Sequence, residues 1–447
     1  MTRQLERLTE ALLTAAKRAG ADAADAIAVD GVASSIDIRQ GALEQAERAE
    51  GVEMGLRVLV GQRQACVSVS DISDATIAAV AERAVAMARE APQDPWAGLA
   101  DPSQLAQDRD ATALQLCDSA PEVSAAALED DARRAEAAAM AVQGITQVEA
   151  SASQSRRRIH LAASNGFAGG YMRSSRSVSA VAFAGEGSGM ERDWAAEGRI
   201  FATDLPGADE IGTLAAERAL ARLGARKPRT GTFPVLYDER ISAGLIGHLL
   251  GAVNGSAITR GSSWLRDALG TQVLPIGLSV IEDPHRARVG GSRLFDSEGL
   301  ATTRRAIVEN GLLTGWVLDL ASARKLGLQS TANAARGTSA PPSPGTSNID
   351  LTPGTATRAD LIAQMGTGLL VTSLIGSSIN PTTGDYSRGA SGFWVENGEI
   401  THAVNECTIA GNLRDMLMRI IPANDARAHM STRVPSLLIE GLTIAGE

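Results

Sequence analysis

Residues 55–61 read GLRVLVG, a short and mostly apolar segment bounded by glycines. The following segment ACVSVS (65–70) is likewise rich in residues that favour strands, and the preceding SSIDIRQ (34–40) alternates polar with apolar residues. Runs of this length and pattern are typical of β-strands packed on one side. We therefore predict that the region from residue 26 to residue 70 forms an antiparallel sheet.

Amphipathic helices flank these strands. The segment QLERLTEALLTAAKR (4–18) spaces its leucines by three and four residues, which places them on one helix face. A second helix is predicted at DATIAAVAERAVAMARE (74–90), with Ser73 or Asp74 as its N-cap. Residues 1–90 are thus expected to form a subdomain of helices layered on a sheet.

The same order of elements returns further along the chain. Helices are predicted at SAAALEDDARRAEAAAMAV (124–142) and DEIGTLAAERALARLG (209–224), and strands lie between them around a turn at Asn165-Gly166. Residues 91–121 contain four prolines and no clear period, which favours a linker or crossover. Residues 122–228 are therefore interpreted as a second α+β subdomain.

Residues 229–447 differ in composition and pattern, with many glycines and short strand-like runs. The sequence VENG occurs at 308–311 and again at 395–398, and Asn-Gly supplies the positive φ angles of a type I′ hairpin turn. The Ser/Thr/Pro-rich segment 330–348 predicts a long mobile loop. The overall expectation is an α+β fold: an N-terminal region of helices packed on antiparallel sheets, followed by a β-rich C-terminal domain.

Composition narrows the class of function. The chain has 447 residues and a formal net charge of −10, a balance that disfavours contact with nucleic-acid phosphates. Its three cysteines (Cys66, Cys117 and Cys407) form no C-x-x-C pair, so no disulfide framework or zinc ribbon is indicated. The N-terminus has no apolar signal core and no stretch is apolar enough to span a bilayer. We expect a cytoplasmic protein without a membrane role.

Most catalytic motifs are absent from the sequence. It contains no G-x-x-x-x-G-K-[ST] phosphate loop, no G-x-G-x-x-G fingerprint and no G-x-S-x-G nucleophile elbow. The run Glu282-Asp283-Pro284-His285 could indicate acid/base chemistry, but a solvated turn around the proline is the more economical interpretation.

The stretch SAGLIGHLLGAV (242–253) carries a histidine, His248, within an apolar helical pattern. A zinc-protease helix bears two histidines and a glutamate on one face. One turn before His248 the chain offers only Ser242, Ala243 and Gly244, none of which is a zinc ligand or a general base. From its own surroundings, His248 is interpreted as a packed helix histidine with a local hydrogen bond.

Several long motifs resemble the TldD/PmbA family, and the resemblance extends over nearly the whole chain. The N-terminal strand GLRVLVG fits it as well. The motifs that carry the resemblance are LGARKPRTG (223–231), YDERISAGLIGHLLGAVNGSAITRGSSWLRDALG (237–270), GGSRLFDSEGL (290–300), WVLDLASARKLGL (316–328), GASGFWVENGEI (389–400) and TIAGNLRDML (408–417).

The resemblance implies a two-subunit metallopeptidase. Its TldD subunit carries an expanded H-E-x-x-x-H motif and a later cysteine as third zinc ligand, and the partner, PmbA or TldE, lacks them. Laid on that motif, the first histidine falls at Ala243, the glutamate at Gly244 and the second histidine at His248. The region of the third ligand holds no cysteine; its one ligand-type side chain is His429, and Cys407 lies too early to match.

The resemblance therefore implies the PmbA (TldE) side of the family. We expect no catalytic residue, metal or cofactor in this chain, and zinc in a TldD-type partner. The expected assembly is a heterodimer with that partner, or a homodimer when the chain is isolated, acting on unfolded or small peptides. Two alternatives stay open: an independent metallohydrolase with a divergent site at His248, and a regulatory interaction protein, after the family's gyrase-modulator label. Whether the chain is itself an enzyme is left undecided.

Overall fold

The computed structural model describes residues 2–446. Its N-terminal half alternates helices with long strands, as the sequence pattern predicts. In chain order the elements are α1 (Thr2–Arg18), β1 (Ala23–Arg39), β2 (Ala42–Val60), β3 (Arg63–Val69), α2 (Asp74–Glu90), α3 (Ala125–Met140), β4 (Ile145–Ala163), β5 (Ala168–Ala184), β6 (Glu191–Arg199) and α4 (Ala208–Ala221).

All six of these strands form one antiparallel sheet in the order β3-β2-β1-β4-β5-β6. The sheet is continuous because β1 pairs with β2 on one side and with β4 on the other, from Asp25 opposite Ala163 to Arg39 opposite Glu149. The regions 1–90 and 122–228 thus each contribute three strands to a shared sheet. Strand β6 is an element that the sequence pattern did not reveal.

The four helices cover one face of this sheet. Even-numbered residues of β1, such as Ala26 and Ile38, lie in the cores under the helices, as the period of two in a strand requires. These cores are rich in alanine, since aromatic residues make up only 3% of the chain. Ser73 caps α2 by accepting a hydrogen bond from the Thr76 amide, so the predicted N-cap is confirmed.

The C-terminal half is built from short strands and helices. In chain order they are β7 (Gly231–Tyr237), α5 (Glu239–Ala252), α6 (Gly255–Arg260), β8 (Val280–Glu282), β9 (Arg305–Glu309), β10 (Leu312–Leu313), α7 (Leu320–Leu326), β11 (Ala334–Ala335), β12 (Ser343–Pro344), β13 (Ile349–Leu351), α8 (Arg358–Met365), β14 (Gly368–Ile379), β15 (Asp385–Glu396), β16 (Glu399–Asn412), α9 (Leu413–Leu417), β17 (Ile421–Pro422), β18 (Thr432–Arg433) and β19 (Leu437–Ala445).

Five of these strands close into a barrel. The sheet runs β16-β15-β14-β7-β19-β17, and an additional pairing of Thr408–Ala410 with residues 443–445 joins β16 to β19. A second sheet, β10-β9-β8-β13-β18, lies beside it. The α+β class with a β-rich C-terminal domain is therefore confirmed. Two strand pairs, β7 with β14 and β13 with β18, are parallel.

Both VENG segments form the predicted turns. Asn310 and Gly311 have φ angles of 49° and 85° between β9 and β10, and Asn397 and Gly398 have 54° and 80° between β15 and β16. Segment 330–348 is mainly loop, with β11 paired to β12. Four of its polar residues are nevertheless buried, namely Asn333, Thr338, Ser347 and Asn348. Its mobility stays a prediction.

The second face of the N-terminal sheet packs against the C-terminal domain. Ile27 and Leu161 share an apolar cluster with Phe295 and Leu300. Close approach at this interface depends on Gly55, where a Cβ atom would lie 2.1 Å from the carbonyl oxygen of Thr338. The two halves are thus joined by an extensive interface and not by a linker alone.

Asp25 forms a buried ion-pair cluster at the same interface. Its carboxylate is 2.6 Å from Nε of Arg57 and also pairs with Arg336, whose side chain is fully buried. Burial lowers the pKa of Arg336 to about 10.

Among the helices within residues 2–446, none has the length and apolar character needed to cross a membrane.

Candidate functional site

Helix α5 contains the stretch that resembles a metal-binding helix. It follows β7 directly, and Asp238 caps it by accepting a hydrogen bond from the Arg240 amide. Its buried face presents Leu245, Ile246 and Leu249 to the core of the C-terminal domain. The helix is therefore held in place by ordinary amphipathic packing.

The opposite face of α5 is nearly bare, that is, it carries few side chains. Gly244, Gly247 and Gly251 are exposed there, and a Cβ atom added to any of them would have no neighbour within 4 Å. Glycine in a helix interior costs about 1 kcal/mol relative to alanine. Packing within this chain does not explain why three glycines occupy this face.

His248 lies half-buried beside that face. Its ring meets Tyr386 edge-to-face, with the ring centroids 6.0 Å apart at 73°. Burial lowers the pKa of His248, and the charge of Arg388 lowers it further, so the imidazole is neutral near pH 7. In the part of the chain that the structure describes, no hydrogen bond reaches this ring. The expected packing is present, but the expected local hydrogen bond is not.

The side chains at the motif positions do not fit a zinc ion. Ala243 packs partly into the core, Gly244 offers no side chain, and His248 is the one ligand-type residue of the three. Zinc sites use three or four N, S or O ligands. Between residues 2 and 446, no group of three or more His, Cys, Asp or Glu is arranged to hold a metal ion. The described residues of this chain therefore do not fit a zinc ion.

His429 lies against the N-terminal sheet. Its Nε2 is 3.3 Å from the carboxylate of Glu197 in β6. Burial lowers the pKa of His429 and Arg199 lowers it further, whereas Glu197 opposes both. The neighbouring Arg427 bridges Glu197, at 2.7 Å, and Glu239 at the start of α5, at 3.1 Å. His429 is thus paired with Glu197, and it does not belong to a set of metal ligands among the described residues.

Cys407 is buried, and its thiol is expected to be unreactive. Its thiol donates a weak hydrogen bond to the carbonyl oxygen of Ala390 at 3.2 Å. Burial raises the pKa of this thiol to about 11, so the thiolate needed for metal binding or nucleophilic attack is disfavoured.

A dense charge network surrounds the first turn of α5, and the sequence pattern did not single it out. Asp238 pairs with Arg240 at 3.1 Å and with Arg358 at 2.9 Å, and Arg240 also reaches Asp193 of β6 at 3.2 Å. Asp238, Arg240 and Asp193 are each almost fully buried. These pairs fix the start of α5 against the N-terminal sheet.

The interpretation of Glu282 as part of a solvated turn is wrong. Its carboxylate is 3% exposed and accepts hydrogen bonds from Arg305, Asn333 and Ser347. His285 is exposed, and its Nε2 is 3.1 Å from the hydroxyl of Thr302. A fully partnered carboxylate in a strand is structural, and its partners lie 23 or more residues away in the chain.

Two buried carboxyl groups, Asp296 and Glu298, lie at the domain interface within the segment GGSRLFDSEGL. Burial, and then the charge of Asp296, raise the pKa of Glu298 from 4.5 to about 8. Glu298 accepts a hydrogen bond from the Leu320 amide at 2.9 Å and shares a cavity wall with Arg57. Asp296 accepts hydrogen bonds from three backbone amides, and burial raises its pKa too. Sequence spacing alone gave no sign of this strongly perturbed group.

Comparison with known proteins agrees with this architecture. Residues 24–88 match PmbA/TldA metallopeptidase domain 1, residues 118–223 match the PmbA/TldA metallopeptidase central domain, and residues 230–446 match the PmbA/TldA metallopeptidase C-terminal domain. The fold and the degenerate helix motif thus define a metallopeptidase-like chain.

The relatives identify the family. The chain is 37% identical to Metalloprotease PmbA of Escherichia coli O157:H7, over 99% of this chain and 97% of that protein. It is 35% identical to a Metalloprotease PmbA homolog of Haemophilus influenzae, over 96% of this chain and 94% of that protein. The chain belongs to the PmbA/TldD metallopeptidase family.

Solved structures share its fold over nearly the full length. A Bacteroides thetaiotaomicron protein described as a modulator of DNA gyrase superposes with a TM-score of 0.89 at 28% identity, covering 99% of each chain. TldE from Thermococcus kodakarensis superposes with a TM-score of 0.85 at 19% identity, over 98% of this chain and 100% of that one. The second likeness is one of fold alone.

Proposed function

We propose that this chain is the non-catalytic subunit of a cytoplasmic TldD/TldE-type peptidase. It pairs with a TldD-type partner that supplies the zinc ion and the general base, and together the two enclose a site for unfolded or small peptides. The observation that carries the proposal is the content of α5. Ala243 and Gly244 stand at the positions of the motif histidine and glutamate, and His248 meets the ring of Tyr386 without a hydrogen bond from any described residue.

The chemistry of peptide hydrolysis supports this assignment. A catalytic zinc ion needs three protein ligands and an open position for water, and a nearby carboxylate to take the proton. Neither the helix nor His429 and Cys407 offer such a set, since His429 pairs with Glu197 and the Cys407 thiol is held protonated. The chain's contribution is therefore to complete an enclosure, not to perform the proton transfers.

Rigid placement of α5 fits such a role. The buried pair of Arg240 with Asp193 ties the start of this helix to the N-terminal sheet, and Asp238 pairs with the same arginine, so the helix keeps a defined position. Its bare glycine face leaves space beside His248 for a partner surface or an extended peptide. We propose that this face turns toward the enclosed site.

The test is reconstitution with a TldD relative from the same genome. The two chains are purified separately and mixed, and zinc content, mass by light scattering and peptide hydrolysis are measured for each chain and for the mixture. We expect a homodimer without zinc or activity from this chain alone, and a zinc-containing, active heterodimer from the mixture. The control is a partner variant with its first motif histidine replaced by alanine, which should form the heterodimer without activity.

Stoichiometric zinc and peptidase activity in this chain alone would overturn the proposal. The proposal would also fail if light scattering showed that this chain stays monomeric, both alone and mixed with the partner, at concentrations well above those of the assay.

A further inference from the structure

A cavity of about 560 Å³ opens between α1 and the strands β4 and β5, in the N-terminal half of the chain. Its walls are mainly apolar and are formed by Leu5 and Leu13 from the helix and by Ile159, Phe167 and Tyr171 from the sheet. This volume lies in the range of pockets for small ligands. Nothing in the proposed peptidase role uses this cavity.

His160 lies in its floor with a defined proton arrangement. The residue as a whole is 9% exposed, and its Nδ1 is 2.9 Å from the hydroxyl oxygen of Thr9, which is fully buried. The single hydroxyl proton of Thr9 is donated to the helix carbonyl oxygens, 2.9 Å away at Glu6 and 3.2 Å away at Leu5. Since that proton is used inside the helix, we infer that Nδ1 of neutral His160 is the donor to Thr9, which leaves Nε2 with its lone pair.

Nε2 is an acceptor without a donor. Among residues 2–446 no hydrogen bond reaches it, although the ring lines the cavity. Burial lowers the pKa of His160 more than the charge of Glu6 raises it, so the ring is neutral near pH 7. Because His160 lines the cavity, a ligand bound there that donates a hydrogen bond can use this nitrogen as its acceptor.

The charges at the cavity have one predominant sign. Glu6 and Glu10 line it from α1, and neither carboxylate forms an ion pair with any other described residue. The one basic side chain on its wall, Arg158, is already paired with Asp30. His160 and the exposed residues Glu6 and Glu10 thus place acceptors along a mainly apolar cavity, which matches a cation that carries N–H donors.

We propose that this cavity binds an apolar primary amine in its protonated form. The ammonium group donates to Nε2 of His160 and lies between the carboxylates of Glu6 and Glu10. The apolar body packs against Phe167 and Tyr171. Two sources share this chemistry, namely a small free amine and the amino terminus of a peptide with an apolar first residue.

The test uses the full-length chain and isothermal titration calorimetry. The probes are 2-phenylethylamine, the peptide Phe-Ala-Ala, and 3-phenylpropionate as an anion of similar shape. We expect both amines, or one of them, to bind at least about tenfold more tightly than the acid, since one charge-assisted hydrogen bond accounts for that factor. Binding of Phe-Ala-Ala supports the site with peptide termini as the source, and binding of phenylethylamine alone supports it with a small amine as the source.

Variants connect the binding to the named side chains. The double change Glu6→Gln and Glu10→Gln should weaken amine binding by about tenfold, and His160→Gln should weaken it by a similar factor. The matched control is Glu82→Gln with Glu90→Gln on α2, where exposed carboxylates lie outside the cavity, and it should leave binding unchanged. Because the changes on α1 are at exposed positions, they test the proposal even if the His160 variant does not fold.

Three results would overturn the proposal. The first is equal affinity for 3-phenylpropionate and the amines, and the second is no binding of any probe. The third is amine binding that the α1 double variant leaves unchanged. Nitrogen-15 NMR of the histidine ring adds an independent check, since a proton found on Nε2 in the free protein would contradict the acceptor on which the site depends.

Discussion

The domain interface and the exposed face of α5 differ in how their polar groups are satisfied. At the interface, Asp25 lies between two buried arginines, and Arg240, which also pairs with Asp238, reaches across to Asp193 of the N-terminal sheet. On the exposed face of α5, His248 has an aromatic neighbour and no hydrogen bond from any described residue, beside a row of glycines.

The difference separates two tasks that a catalytic chain performs with the same helix. Placing α5 requires buried, fully paired charges, and the interface retains them. Using α5 for chemistry requires ligands and a base, and the exposed face lacks them. Substitutions at the interface should therefore lower the stability strongly, whereas those on the exposed face should change the stability of the isolated chain by about 1–2 kcal/mol or less.

The largest effect is expected for Asp25→Asn. This change leaves Arg57 and Arg336 as buried charges without a counterion, a loss that typically costs about 3–5 kcal/mol. Calorimetric unfolding should show the decrease. The matched control is Asp30→Asn in the same strand, whose partner Arg158 is less buried, and it should cost about 1 kcal/mol. Equal losses for the two variants would contradict the importance that we assign to burial.

Glu298 should give the interface a pH dependence. Its pKa rises from 4.5 to about 8 on folding, so the folded chain binds a proton there that the unfolded chain has released. This contribution to stability is full below pH 4.5 and is lost as the pH rises toward 8, at up to about 1.4 kcal/mol per pH unit. Glu298→Gln should remove that decline.

The measurement is urea unfolding of both proteins between pH 5 and pH 9. At pH 5 the variant should resemble the natural chain, and at pH 9 it should be more stable. A variant whose stability follows the same pH curve as the natural chain would show that Glu298 titrates normally.

His248→Ala probes the exposed side of α5. Losing the contact with Tyr386 should cost about 1–2 kcal/mol, and the activity of the reconstituted pair should stay within a few-fold of its starting value. Removal of a true zinc ligand would instead abolish metal binding and activity together. Zinc analysis and a peptidase assay on the reconstituted pair distinguish the two outcomes without fine resolution.

The reverse change sharpens the same point. Installing Ala243→His together with Gly244→Glu should not create peptidase activity in the isolated chain, because a third ligand is still missing. Activity in that double variant would show that another side chain of this chain completes the zinc site.

The smallest effect is expected at Gly247. Alanine has space there and favours a helix, so Gly247→Ala should stabilise the isolated chain by up to about 1 kcal/mol. The control, Gly212→Ala in α4, should destabilise, since its Cβ would lie 2.0 Å from the carbonyl oxygen of Ala135. Thermal unfolding shows the two signs. If Gly247→Ala stabilises the isolated chain but weakens assembly with the partner, the bare face belongs to the subunit contact.

Local features of the fold could be predicted from the sequence because they depend on neighbouring residues. Ser73 caps α2 through an amide three residues away. Each Asn-Gly pair adopts positive φ angles because these two residue types tolerate that backbone conformation. The absence of a histidine at Ala243 and a glutamate at Gly244 is likewise visible in the sequence itself. These facts determined the helices, the hairpins and the degenerate motif.

Tertiary structure decided what distant residues do to each other. The pairing of β1 with β4, the closure of β16 on β19 and the burial of Glu282 each join segments far apart in the chain. The raised pKa of Glu298 arises from burial and from Asp296, and the free Nε2 of His160 arises from a hydrogen bond to Thr9, 151 residues away. Burial and proton position depend on such three-dimensional neighbours, and local sequence patterns carry no information about them.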